Sequence, residues 1–189
     1  VKSQVIEMIG ARLNAARWGQ KNLETQLSNR SEETEDTWIE KFEDPSLDDE
    51  HRKIIDSFGC SNKGYSLFPF NKKAIYSMVK LRMTRGQSLE MVSRNVVEEI
   101  LRKPLNNLRD NYIKKEFPND NFFPETILNP IIDEKISLLQ DTPLNKLKYK
   151  NLICHWDCNP ENFDDISLPS DIYKAFNLKP LKEVKNAPV

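Results

Sequence analysis

Apolar residues recur at intervals of three and four along residues 1–29, which is the spacing that places them on one face of an α-helix. These residues are Val5, Ile6, Ile9, Leu13, Ala16, Leu23 and Leu27. Lys, Arg, Gln and Glu fill the positions between them, and Gly19 interrupts the run. The pattern predicts one long amphipathic helix, or two helices with a bend near Gly19.

A second helical pattern covers residues 72–83, directly after Asn71. An asparagine side chain can accept a hydrogen bond from the first free amides of a helix, so Asn71 is the expected cap. The predicted buried stripe consists of Ala74, Ile75, Met78 and Val79. Gly86, in a short basic turn, follows the end of this helix.

The helix predicted to begin at Ser88 has the clearest apolar face in the chain. That face consists of Leu89, Val92, Val96, Val97, Ile100 and Leu101. Pro104 ends or kinks it, because proline has no amide hydrogen and clashes with the preceding turn. A further helix is expected to continue to about residue 116.

Capping signals predict a shorter helix over residues 47–57. Ser46 and Asp49 match a capping box, and Gly59 lies where a glycine can end a helix with a left-handed backbone. Beyond residue 117 prolines divide the chain into short pieces, with helices expected at 131–139 and 169–176. Residues 147–156 are a weak strand candidate, and the tail from residue 179 is expected to fray.

The predicted fold is therefore mainly α, a multi-helix domain with an irregular, proline-rich C-terminal part. We divide it into a long amphipathic helix at 1–30, a helical core at 31–117 and an accessory segment of short helices and loops at 118–189. No internal repeat is evident in the sequence.

Composition sets limits on the class of protein. The chain has 189 residues, of which 38% are hydrophobic, enough to bury a core without metals or disulfides. A net charge of -1 gives no global electrostatic case for nucleic acid or an anionic membrane. Its apolar runs are too short to span a bilayer, so we expect a cytoplasmic protein. The sequence opens at Val1 without an initiator methionine, so a catalytic motif could precede it.

The two signs of charge are nevertheless separated along the chain. Acidic residues crowd residues 32–50, whereas basic residues dominate the central helices. The basic set is Lys72, Lys73, Lys80, Arg82, Arg85, Arg94, Arg102, Lys103, Arg109, Lys114 and Lys115. This set could face a phosphate, DNA or an acidic partner, although ordinary solvated helix faces explain it as well.

Motifs of known catalytic chemistry are missing from the sequence. We find no phosphate loop, no dinucleotide-binding glycine pattern, no His-Glu-x-x-His and no Gly-x-Ser-x-Gly, and we assign no catalytic residue. His51 lies among charged residues and is expected at the surface. Cys154, His155 and Cys158 could ligate zinc, but the usual Cys-x-x-Cys pairs are missing. Packing of Cys154 and Trp156 against a core is the simpler interpretation, and no metal site is assigned.

One stretch resembles a known family. Phe68-Pro69-Phe70-Asn71, then a basic glycine-containing turn, then a run from Ser88 to Leu101, resembles the helical lid that follows the nucleotide-binding core of AAA+ and related P-loop ATPases. The preceding Phe58-Gly-x-Ser-x-x-Gly-Tyr-x-Leu67 is similar to bacterial antiphage-defence ATPases, including those of phosphorothioate-dependent DNA restriction.

The resemblance implies a role for particular arginines. Lids of this family sense the γ-phosphate with an arginine just inside the second helix, where this chain has Glu90. A carboxylate there would repel nucleotide, so Arg85 and Arg94 become the candidates for nucleotide or phosphate contact. Taken singly, each is more simply explained as a surface or intrahelical ion-pair residue.

Three functions remain open from the sequence. The first is a non-catalytic lid and accessory region of a P-loop ATPase in defence or DNA processing, with ATP bound only through an upstream or partner module. The second is a helical protein-interaction adaptor that uses residues 32–50 or Trp38, Phe122 and Phe123. The third is a weak DNA-binding module, whose contacts would be Arg85, Arg94, Arg102 and Lys103.

Overall fold

The computed structural model describes residues 2–29, 39–83 and 127–184. Over these ranges the protein is mainly helical, which confirms the predicted fold class, and an isolated antiparallel bridge joins Cys60 to Ser66. The helices predicted between residues 88 and 116 lie outside the described residues. So do the domain boundaries predicted near residues 30 and 117, which therefore stay predictions. None of the helices in the described ranges is long and apolar enough to span a bilayer.

The chain divides into two compact units, Val1–Pro69 and Phe70–Val189. In the first unit, α1 covers Lys2–Trp18 and α2 covers Gln20–Ser28. Gly19 separates them with a φ of 73°, a conformation that glycine adopts without steric cost. The prediction of two helices with a bend near Gly19 is confirmed.

The segment after residue 38 lies against one side of α1. Asn14 Nδ2 donates to the Glu40 carbonyl at 2.8 Å, and Asn14 Oδ1 accepts from the Phe42 amide at 2.8 Å. Trp18 Nε1 donates to the same Glu40 carbonyl at 2.9 Å, and its ring meets the Phe42 ring edge to face at 5.2 Å. A buried asparagine thus supplies the backbone hydrogen bonds that an extended segment would otherwise lack.

Helix α3 covers Asp49–Asp56, and its cap differs from the predicted one. Asp48, rather than Ser46, is the N-cap, and its carboxylate accepts from the His51 amide at 2.8 Å. Ser46 instead donates to Asp44 at 2.6 Å. A carboxylate at this position satisfies a free amide and also complements the positive end of the helix dipole.

The loop after α3 is bound to α1 through a half-buried arginine. Arg17 donates to the carbonyls of Ser66 and Phe68, at 3.1 and 2.6 Å. Burial lowers the pKa of this guanidinium to about 10. Gly59, at a φ of 77°, begins the loop as predicted, and the Phe68–Pro69 peptide bond near its end is cis. The core of this unit includes Ile6, Ile9, Leu13, Ile54, Phe58, Tyr65 and Leu67.

The second unit begins with α4, Lys72–Met83, at the predicted position. Asn71 Oδ1 accepts from the Ala74 amide at 2.8 Å, as a cap should. The predicted stripe is confirmed, since Ala74, Ile75, Met78 and Val79 are all buried.

Short helices make up the rest of this unit. They are α5 Pro130–Ser137, α6 Pro143–Asn151, a π-helical turn Leu152–Trp156, a 3₁₀ turn Phe163–Asp165, α7 Ser170–Ala175 and α8 Leu181–Val184. Helices α5 and α7 correspond to the predicted ones within one or two residues. We call the turn Leu152–Trp156 the π turn.

Two predictions for this region were wrong. The strand candidate at 147–156 is the end of α6 and the π turn, because Thr142 caps α6 by accepting from the Asn145 amide at 3.2 Å and Pro143 fits its first turn. The tail was predicted to fray from residue 179, but it is folded onto this unit as far as residue 184. Tyr149 donates to the Lys179 carbonyl at 2.8 Å, and Leu181 is buried.

Trp156 lies at the centre of the second unit and is fully buried. Its ring stacks on Phe70 with centroids 6.2 Å apart and meets Phe176 edge to face at 5.0 Å. Helix α5 buries Ile132 and Ile136 completely. This packing confirms that Trp156 is a core residue.

Helix α5 offers a matched pair of isoleucines for testing this core. Ile136→Ala should lower the free energy of unfolding by about 2 to 5 kcal/mol, because it leaves a cavity at a fully buried site. Ile131→Ala, at a site that is 56% exposed, should change it by less than about 0.5 kcal/mol. Urea unfolding followed by circular dichroism measures both. Equal losses from the two variants would contradict the assigned burial.

Candidate functional site

Polar side chains of α4 meet the π turn and the residues just after it. Asn71 Nδ2 donates to the Trp156 carbonyl at 2.9 Å, so Asn71 both caps α4 and fixes the end of the π turn. Lys73 and Ser77 make the next contacts along α4, to Asp157 and His155. We call this row of contacts the α4–π seam. π-Helical turns are rare and often occur at functional sites, so we take the seam as the candidate functional site.

Asp157 is the most constrained group in the seam. Its side chain is 1% exposed, and Oδ1 accepts from Lys73 Nζ at 2.6 Å and from Ser167 Oγ at 3.0 Å. Oδ2 accepts from the Ser167 amide at 2.7 Å. A buried carboxylate is costly unless it is paired and hydrogen-bonded, and both conditions are met here. Lys73 Nζ also donates to Ser167 Oγ at 3.2 Å, so the three side chains form one hydrogen-bonded cluster.

Ser77 and His155 form the only seam contact that resembles catalytic chemistry within the described ranges. Ser77 Oγ lies 2.8 Å from His155 Nδ1, within the range for a nucleophile and its base. A hydrolytic relay also needs a group that orients the second ring nitrogen. His155 Nε2 is buried and has no hydrogen-bond partner among the described residues.

The environment of His155 also makes it a weak base. The ring is fully buried, and this burial lowers the pKa of His155 to about 4. The imidazole is therefore neutral at neutral pH, and its conjugate acid is disfavoured by lack of solvent. The pair acts as a structural contact between α4 and the π turn.

The three metal-capable residues of this region have separate partners. Cys154 Sγ contacts the Ile127 carbonyl at 3.6 Å, His155 contacts Ser77, and Cys158 Sγ contacts the Lys73 carbonyl at 3.5 Å. No group of three or more His, Cys, Asp or Glu suited to a metal occurs within residues 2–29, 39–83 and 127–184.

Burial also raises the pKa of both the Cys154 and Cys158 thiols. The neighbouring Lys73 and Lys80 oppose this at Cys158 without reversing it. A thiol with a raised pKa is a poor nucleophile and a poor metal ligand, because the reactive form is the thiolate.

The structure describes only part of the charged set predicted from the sequence. Arg85, Arg94, Arg102 and Lys103 are all outside the described residues, so their roles stay predictions. His51 is exposed, as expected, and its ring lies 2.8 Å from the Asp48 carboxylate. Among the central lysines, Lys72, Lys73 and Lys80 are exposed along one edge of α4.

The seam itself was not predicted. Its partners are 78 residues apart for Ser77 and His155 and 84 apart for Lys73 and Asp157. A single sequence contains no signal for such distant pairs. The one local signal was that Asp157 follows the mostly apolar stretch Leu152–Trp156, where a carboxylate needs a partner.

His155 should make the stability of the protein depend on pH. Its pKa is about 4 when folded and 6.5 when the ring is fully hydrated, so the unfolded chain binds the proton more tightly. The stabilisation is complete above pH 6.5 and is lost as the pH falls toward 4, by about 3 kcal/mol at most. Urea unfolding at a series of pH values measures this slope.

Two variants test whether His155 is the source of this dependence of stability on pH. His155→Gln should flatten the decline between these pH values, whatever it does to stability at neutral pH. His51→Gln, at the exposed histidine, should retain the wild-type slope, since exposed ion pairs contribute little. A wild-type slope in His155→Gln would show that the buried ring is not its source.

Comparison of the chain with protein-family models, with curated proteins and with solved structures finds no match. Function is therefore inferred from the residues and contacts of the chain itself, together with the resemblance at residues 58–101.

Proposed function

We propose that the chain is a non-catalytic helical lid and accessory region of a P-loop ATPase that acts in bacterial defence or DNA processing. The observation that supports this most directly is the form of α4. The Phe68–Asn71 phrase opens a helix, as the resemblance implies, and Asn71 is its cap. A lid needs a helix that is fixed on one face and can present the other to a ligand.

Both faces of α4 fit that requirement. Ala74, Ile75, Met78 and Val79 are buried, whereas Lys72, Lys73 and Lys80 lie along an exposed edge. Lysine at an exposed helix edge is a suitable neighbour for phosphate or for an acidic protein surface. In the proposal, this edge and the predicted contacts Arg85 and Arg94 face bound nucleotide.

The seam supplies the mechanical element of the proposal. Asn71, Lys73 and Ser77 are bonded to the π turn and Asp157, so α4 and the π turn are coupled along several residues. A shift of α4 on nucleotide binding or release would therefore displace the C-terminal helices with it. Those helices would pass the nucleotide state to a neighbouring subunit or to DNA.

The remaining parts of the proposal concern the rest of the enzyme. ATP would be bound by a phosphate loop before Val1 or on a partner chain, and the location would be cytoplasmic. The purified chain alone should neither bind ATP tightly nor hydrolyse it.

The lysine edge gives a test in the protein that contains the phosphate loop. Lys72→Glu with Lys80→Glu should raise the KM for ATP about tenfold, because two cations near phosphate are replaced by anions. Lys53→Glu, at an exposed position of α3, is the matched control and should leave KM unchanged. Steady-state ATP turnover measures both.

Three results would overturn the lid proposal. The first is an encoded sequence before Val1 that lacks a phosphate loop, with no ATPase that copurifies. The second is measurable ATP turnover by the isolated chain. The third is an equal KM for the Lys72/Lys80 variant and the control in the complete enzyme.

A second function is favoured by exposed apolar side chains on α5 and α6. Ile131, Leu138, Leu144 and Leu147 are 56, 75, 46 and 42% exposed. All belong to a short stretch around two neighbouring helices, and clustered exposed apolar residues often mark protein contacts. A helical adaptor would use this surface. Trp38, Phe122 and Phe123, which the sequence suggested for that role, lie outside the described residues.

The adaptor function predicts a loss of binding from substitutions on that surface. Leu138→Asp with Leu144→Asp should weaken binding of the physiological partner at least about tenfold, because charges replace apolar contacts. Leu27→Asp, at another exposed leucine, should bind normally. Titration calorimetry with the purified partner measures both, and equal affinities for all three proteins would exclude this surface.

A further inference from the structure

Residues 39–42 are held on the first unit by side chains that bond to their backbone. Asn14 donates from Nδ2 to the Glu40 carbonyl and accepts at Oδ1 from the Phe42 amide, both at 2.8 Å. One amide side chain thus satisfies a carbonyl and an amide two residues apart in the segment. Asn14 is only 2% exposed, so it is a fixed part of the surface on which the segment lies.

Three further side chains bond to the same stretch of backbone. Trp18 Nε1 donates to the Glu40 carbonyl at 2.9 Å, and the Tyr65 hydroxyl donates to the Ile39 carbonyl at 3.2 Å. The Glu40 amide donates to Gln26 Oε1 at 3.4 Å. Every residue type has a backbone carbonyl, and all but proline have an amide hydrogen. These contacts therefore recognise an extended chain rather than particular side chains.

Two positions of the segment make specific side-chain contacts. The Phe42 ring meets the Trp18 ring edge to face, with centroids 5.2 Å apart. The Lys41 side chain crosses Gly64, where an added Cβ would come within 2.7 Å of Lys41 Cε. Gly64 also has a φ of 83°, so both the close approach and the backbone require glycine there. The surface accordingly favours a lysine followed by an aromatic residue.

The segment is only lightly tied to the unit. Glu40 and Lys41 are exposed, Ile39 and Phe42 are half-buried, and none of the four belongs to a helix or strand. Helix α2, which supplies Gln26, has no buried residue. Regions with few buried contacts open at a lower free energy than the core does. The segment should therefore leave the surface without unfolding α1.

We propose that the side chains around Asn14 form a peptide-binding surface, which residues 39–42 occupy as an internal ligand. The surface, which we call the Asn14 surface, consists of Asn14, Trp18, Gln26, Gly64 and Tyr65. Its partner is an extended segment of another protein that carries a lysine followed by an aromatic residue. In such complexes backbone hydrogen bonds give affinity, and the side-chain contacts give specificity.

The internal segment makes this site autoinhibited. It is joined to α2 through residues 29–38, so it competes with any partner at a high effective concentration. The apparent affinity for a partner is reduced in proportion to the fraction of chains in which the surface is free. Exchange of the segment between two copies of the chain would gain no contact, which favours a different protein as the partner.

A fluorescent peptide with the sequence of residues 39–44 is the probe of the full chain. Phe42→Ala in the chain should raise its affinity for this peptide at least about tenfold, because loss of the ring contact frees the surface more often. Lys41→Ala should act in the same direction through the contact at Gly64. Fluorescence anisotropy measures binding, and circular dichroism checks that both variants keep their helical content.

The Asn14 surface itself is tested in the Phe42→Ala chain. Adding Asn14→Leu should weaken peptide binding at least about tenfold, because it removes both backbone hydrogen bonds. Asn22→Leu, at an exposed asparagine of α2, is the matched control and should leave binding unchanged. A probe with alanine in place of its phenylalanine should bind at least about tenfold more weakly.

Four results would overturn the proposal. The first is a wild-type affinity in both Phe42→Ala and Lys41→Ala. The second is equal binding after Asn14→Leu and Asn22→Leu, and the third is equal binding of the two probes. The fourth is a wild-type dimer, seen by sedimentation equilibrium, that the peptide dissociates, since the partner would then be a second copy of the chain.

Discussion

The second unit depends on the burial of one carboxylate. Asp157 loses nearly all of its hydration, and its energetic compensation comes from Lys73 and from both the hydroxyl and the amide of Ser167. These donors belong to α4 and to the loop before α7. Removal of either would leave an uncompensated charge in the interior, which is far more costly than the loss of a surface ion pair. The carboxylate therefore specifies which segments of this unit must meet.

The π turn is the local structure that makes this possible. It continues α6 directly, buries all five of its residues and delivers Asp157 at its end. Asn71 then binds the Trp156 carbonyl, which the end of a helix leaves without an intrahelical partner. The same asparagine caps α4, so one side chain terminates one helix and starts another. Helix ends, rather than an extended apolar interface alone, define how α4 and the π turn meet.

Local chemistry explains which elements could be predicted from the sequence. The bend at Gly19, the cap at Asn71 and the buried stripe of α4 each depend on residues within a few positions of one another. The cap of α3 was misassigned because Ser46 and Asp48 both satisfy the local rule, and only the loop geometry selects Asp48. Residues 147–156 were misread because the short apolar stretch Leu152–Cys154 suits a buried strand as well as a buried helix. The Ser77–His155 contact joins residues too distant for any local rule.

The π turn also indicates where the length of this chain can vary. Each backbone bond in such a turn spans one residue more than in an α-helix. Loss of one residue from Leu152–Trp156, with a return to α-helical bonding, would leave the helical turns before and after it in nearly the same phase. Asp157 would then still lie on the side that faces Lys73. Among homologous sequences, a one-residue difference in length should accordingly be tolerated better in this stretch than within α4, where it would rotate the following residues by about 100°.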